Sequence, residues 1–157
     1  MFDSLRRLFS DLGEGDRPGV RFAEDDYRVS AAALLVHAAA IDGSISDAER
    51  EKLHGLIMQR FNLDDAAADE LIAEATKAEQ RAVDLYSFTA KLNRALDDAG
   101  RARIVEMMWQ IAYTDDVITE FEDNLIWRAA DLLCVPQTER IALRERVAAS
   151  RETKAQT

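Results

Sequence analysis

Cysteine is almost missing from this chain: Cys134 stands alone among 157 residues. No internal disulfide can therefore brace the fold, which suits a reducing compartment. Proline and glycine are scarce too, with 2 and 6 copies, and so few chain-breakers disfavour a turn-rich sheet architecture. No apolar run approaches the roughly 18 residues of a membrane span. The opening MFDSLRRLFSDL lacks the basic region and continuous apolar core of a secretory signal, so the expected location is the cytosol. Positive charge is the next deficit, with 20 Lys and Arg against 30 Asp and Glu, a net −10. Nucleic-acid affinity rests on cationic side chains neutralising phosphates. That balance excludes tight nucleic-acid binding, disfavours contact with anionic membranes, and suits cations or basic partners. Phosphate-binding glycine loops, nucleophile elbows and HExxH motifs are also absent, and the expectation is a protein that is not an enzyme.

What is present is helical periodicity. The length suits one domain able to bury about two thirds of its unfolded surface. Phe2, Leu5, Leu8, Phe9 and Leu12 form one stripe, which predicts an amphipathic helix over 1–12. The stretch GEGDRPG, residues 13–19, then opens a linker that runs to residue 24. A helical domain is expected over 25–149. Its stripes are Leu34, Leu35, Ala38 and Ile41, then Leu53, Leu56, Ile57 and Phe61, then Leu71, Ile72 and Ala75. They continue through Leu85, Phe88, Leu92 and Leu96, and then Ile104, Met107, Met108 and Ile111. Leu125, Ala129, Leu132 and Leu133 follow, ending before Pro136, and Ile141 and Val147 mark the last helix. Residues 150–157 read as a polar tail. Nothing alternates with period two, so the fold class is all-α, a compact bundle of seven to eight helices without strands.

An internal repeat is the most informative feature. AAIDGSISDAEREKL (39–53) and AYTDDVITEFEDNLI (112–126) align at an offset of 115 − 42 = 73. Asp42 then meets Asp115, Ile45 meets Ile118, Ser46 meets Thr119 and Glu49 meets Glu122. Leu34 and Leu35 meet Met107 and Met108 at the same offset. A shared D-x-x-I-[ST]-x-x-E pattern between helices of equal phase marks a duplicated helix–loop–helix with a pseudo-twofold. Its spacing has a structural explanation, because Ser46 and Thr119 stand where helix N-caps belong and a glutamate follows three residues later. That is a capping box. Asp42 and Asp115 can accept loop N–H groups, while Ile45 and Ile118 are placed as hydrophobic staples.

A cation site competes with that reading. Asp42 to Glu49 match the second half of an EF-hand loop, but its first ligand positions would be Ala38 and Ala40, or Ile111 and Tyr113 in the second copy. A standard calcium loop is therefore excluded. A shared site remains open, with Asp42, Glu49, Asp115 and Glu122 converging on calcium, magnesium or manganese, joined by Asp116.

The same residues carry a resemblance to the TerB family of tellurite-resistance-associated proteins, in its TerB-like branch. The family's repeated A-D-G-x-[IL]-x-x-x-E is echoed by AIDGSISDAE, with Ile41 additional, and by TDDVITEFE, where Asp116 replaces the glycine. VDLYSFTAKLN, MMWQIAYTDD and EDNLIWRAADLLCV also resemble this branch. The resemblance implies an all-helical pseudo-twofold fold, no known catalysis, and a link to tellurite, other metals or oxidative stress. It points to Asp42, Glu49, Asp115 and Glu122 as a metal-interacting surface. A related domain occurs in a DnaJ-like co-chaperone, but this chain lacks the His-Pro-Asp tripeptide of a J-domain.

Other residues invite blander readings. His37 and His54 lack ligand-spaced partners on their own helices and read as ordinary helix residues. Cys134 reads as a small apolar filler, Trp109 and Trp127 as core, and Glu74–Arg81 as a solvated face. The 1–12 helix is expected to pack on the domain or on a second subunit in a homodimer rather than on a membrane, despite Arg6 and Arg7. The expected partner is a protein.

Overall fold

The computed structural model describes residues 22–23, 26–41, 43, 45–114 and 118–156, with side chains as far as 150. The helix expected over 1–12 lies outside the described residues. So do all of its linker up to residue 21, Asp42, Asp115 and Asp116. Among the described residues there are seven helices and no strand. We number them α1 (Tyr27–Ala40), α2 (Asp47–Phe61), α3 (Asp65–Arg81), α4 (Tyr86–Ala95), α5 (Asp98–Ala112), α6 (Glu120–Leu132) and α7 (Gln137–Gln156). α7 thus runs on into the stretch read as a polar tail.

Two helices form the centre. In α1, ten residues from Val29 to Ala39 are buried, and in α5 nine from Gly100 to Ala112 are. A helix apolar on all sides belongs in an interior. Alanine is what lets α1 be enclosed, because Ala31, Ala32, Ala33, Ala38 and Ala39 allow neighbouring helices to approach from several directions. α1 and α5 pack on each other, α3 lies along α1, and α7 lies along α5. The fourth helix joins α1 and α6. At the offset of 73, α3 (65–81) maps onto 138–154, within α7. The repeat therefore extends beyond the predicted helix–loop–helix to three helices, α1–α2–α3 and α5–α6–α7, with α4 between them.

Caps set the helix starts. Asp26, Asp64 and Asp97 accept the N–H groups of Arg28, Ala67 and Gly100, which satisfies donors without intrahelical partners. Burial pushes the Asp26 carboxyl up, but side-chain and backbone hydrogen bonds from Arg28 outweigh it and hold that carboxyl below its ordinary value. α4 starts with Asp84 accepting the N–H of Tyr86 at 2.9 Å. α2 and α6 end alike: Leu63 N–H bonds the Met58 carbonyl and Val135 N–H the Ala130 carbonyl, each at 3.0 Å. The left-handed residue that this ending requires is Asn62 (φ 55°) in one and Cys134 (φ 61°) in the other.

Several local expectations are corrected. Cys134 is exposed rather than a filler, because it holds that helix-ending position. Among the described side chains of α7 the buried ones are Leu143 and Val147, while Ile141 is 41% exposed. The Glu74–Arg81 segment is not a uniformly solvated face, since Ala75 is buried and Glu79 faces His37. Trp109 is fully buried, and Trp127 is half-buried against it.

Candidate functional site: a cleft between the repeated motifs

The predicted acidic set divides in two. Its aspartates lie outside the described residues, whereas its glutamates are placed clearly. Glu49 Oε1 accepts the Ser46 N–H at 2.9 Å, and Ser46 Oγ accepts the Glu49 N–H at 3.1 Å. Thr119 and Glu122 repeat both bonds at the same two distances. Both predicted capping boxes are formed, and Glu49 and Glu122 are buried at 1% and 2% exposure. Ile45 and Ile118 are partly buried against the core rather than stapled to the helix that follows. The residues a staple would meet four positions into each helix are Arg50 and Asp123, so their contact is with the core at large. Among the described residues no group of three or more His, Cys, Asp or Glu is arranged to hold a metal ion.

The two histidines have partners that their own helices could not reveal. His37 Nδ1 lies 2.8 Å from Glu79 Oε2, and His54 Nε2 lies 3.0 Å from Asp69 Oδ1. Both carboxylates belong to α3, so the pairs fasten α3 to α1 and α2. The second unit is fastened by other chemistry. Arg144 of α7 sits over the Trp109 ring at 5.0 Å, and Arg140 over Trp127 at 5.6 Å. The two indoles meet edge to face at 6.4 Å. Arg144 also reaches Asp123 at 3.5 Å.

Beside the His37–Glu79 pair a cleft of about 610 Å³ opens. Its walls are the C-terminal end of α1 at Ile41, the end of α3 with residues 82–85, Phe88 of α4, and the first half of α6. Ile41 directly precedes Asp42, and Phe121 follows Thr119 by two, so the cleft lies between the two repeated motifs. Its floor is apolar, with Leu85, Phe88 and Leu125 buried. Glu79, Asp84 and Arg128 give it charges of both signs. At its mouth Val83 is 99% exposed and Phe121 67% exposed.

Phe121 has no counterpart in the first unit, where the offset places the small, exposed Ala48. The repeat therefore does not require an aromatic there. Sequence periodicity passes over Phe121 because it is in phase with the Leu125 and Ala129 stripe. The missed signal was the mismatch with Ala48.

Comparison with known proteins bears on the whole helical domain. No curated protein and no solved structure gives a significant match to this chain. The family described as tellurite resistance protein TerB matches residues 28–145, a span that starts within α1, ends within α7 and includes both capping boxes. With that match covering about three quarters of the sequence, this chain belongs to the TerB family.

Proposed function

We propose that the protein is a non-catalytic binding module: the cleft is its docking surface, and the repeated acidic motif sets the helix starts. One observation carries this reading. Glu49 and Glu122 are buried and committed to capping, while Phe121 and Val83 hold large apolar side chains in solvent over an apolar floor. Exposed aromatic groups beside a desolvated pocket are typical anchors of protein association. The volume also lies within the roughly 300–1,000 Å³ of ordinary binding clefts. The fitting partner is a protein presenting two or three apolar side chains from a helix or extended segment, flanked by charges of both signs. Any role in tellurite, metal or oxidative stress is exercised through that partner.

The alternative reading is a calcium, magnesium or manganese site at Asp42, Asp115 and Asp116. It draws on the duplication of the acidic loops, but each glutamate that would complete it already spends one carboxylate oxygen on its own capping box.

The docking reading is tested with Phe121→Asp. Because Phe121 is 67% exposed, the change should leave stability within about 0.5 kcal/mol of the parent. It should remove cross-links formed in cells from a photoreactive group at Asn124, an exposed residue that lines the cleft. Cross-links that persist unchanged would refute the docking reading.

A further inference from the structure

We propose that the protein binds one phosphate ion between α2 and α5, on Arg60 and Arg103. The site shares no lining residue with the cleft of the docking reading and does not depend on it. Helical spacing builds it. Leu56, Gln59 and Arg60 stand on one face of α2, and Arg103, Glu106, Met107 and Gln110 on one face of α5. The two faces line a pocket of about 180 Å³, with the buried Leu56 and Met107 as its apolar base. Sites for drug-sized ligands occupy roughly 300–1,000 Å³, so this one suits a single small ion.

Two observations point to an anion. Arg60 Nε is shielded from solvent and has no hydrogen-bond partner among the described residues, and an unmatched buried N–H is costly. Among the described residues, moreover, neither Arg60 nor Arg103 forms an ion pair. Two guanidinium groups without a carboxylate of their own are out of keeping in a chain of net charge −10. An oxyanion relieves their mutual repulsion, and its paired oxygens match their forked donors. Gln59 and Gln110 add side-chain amides that can donate as well. Glu106 selects among anions. It lines the same pocket, 3.7 Å from Arg146, and brings an acceptor to the wall. A carboxylate or a sulfate would set a bare oxygen against that acceptor. Inorganic phosphate at neutral pH keeps at least one proton, so its hydroxyl can donate to Glu106 while its other oxygens accept from the arginines.

Calorimetric titration of inorganic phosphate into the full-length protein, at matched ionic strength, tests this. One ion should bind per chain, with a Kd of about 1 mM or tighter. Sulfate should bind about tenfold or more weaker. Arg60→Gln and Arg103→Gln should each weaken phosphate about tenfold, with circular dichroism confirming the fold. Arg103 is exposed, so its variant carries the test even where Arg60→Gln does not fold. Glu106→Gln should narrow the gap between the two ions, since an amide can donate to sulfate. Absence of saturable phosphate binding to the natural chain overturns the proposal. So does phosphate binding that both arginine variants leave unmoved, or sulfate binding as tight as phosphate. Tighter binding of O-phosphoserine than of the free ion also overturns it, by making a phosphorylated partner the ligand.

Discussion

In the first unit, α3 is held by two histidine–carboxylate pairs, His37 with Glu79 and His54 with Asp69. In the second, α7 occupies the equivalent place and is held by arginines stacked on Trp109 and Trp127. Between these differing attachments the loop-to-helix junctions are alike, with both capping boxes made at 2.9 and 3.1 Å. The divergence lies where each third helix meets its own neighbours, and there many chemistries suffice. The conserved geometry lies where backbone N–H groups need acceptors, and few side chains can supply those. The cleft belongs to neither unit alone, since it borrows the end of α1 from one and Phe121 from the other.

Substitutions at equivalent positions test how alike the two units are. The largest effect should come from the two central helices. Leu35→Ala in α1 and Met108→Ala in α5, both fully buried, should each cost about 2–5 kcal/mol in urea unfolding. A loss below about 1 kcal/mol in either would mean that the two helices are not equally central. Next comes Gly43, whose φ of +117° has open space around the missing Cβ. Gly43→Ala should cost about 1–3 kcal/mol from backbone strain alone, and an unchanged melting curve would show that the first loop relaxes freely.

The capping boxes follow. Ser46→Ala and Thr119→Ala should each cost about 0.5–2 kcal/mol, and a clear inequality would show that only one junction supports its unit. The smallest effect concerns the paired helix ends. Cys134 holds a left-handed conformation that asparagine tolerates better. Cys134→Gly should therefore stabilise by about 0.5–1 kcal/mol, and Asn62→Gly by less. Equal gains would remove the distinction between the two ends.

Much of the fold was legible in the sequence because it depends on local rules. The 3.6-residue stripes located the described helices, Pro136 marked the end of α6, and the D-x-x-I-[ST]-x-x-E repeat gave both capping boxes. What escaped depends on contacts between distant segments. Glu79 and Asp69 reach the histidines from another helix, so no spacing within α1 or α2 could announce them. The three-helix extent of the repeat was hidden because α3 and α7 use unrelated attachment chemistry. The apolar neighbours of Cys134 suggest burial, whereas the left-handed helix ending turns it outward. The cleft was invisible for a similar reason: Phe121 shares the phase of a core stripe, and only the packing of α1, α3 and α4 shows that the stripe overhangs solvent there.

Whether the repeated acidic motif serves helix capping alone, as proposed, is tested most directly by thermal melting with added cations. An ion bound only by the folded chain stabilises it by about 2.7 kcal/mol at a hundredfold excess over Kd. In a domain of this size that is worth about 5–10 °C. With capping alone, millimolar calcium, magnesium or manganese should leave the melting temperature within about 1 °C of its ion-free value, well short of that shift. A rise of several degrees that disappears in Asp42→Asn/Asp115→Asn, with both capping boxes intact, would contradict it.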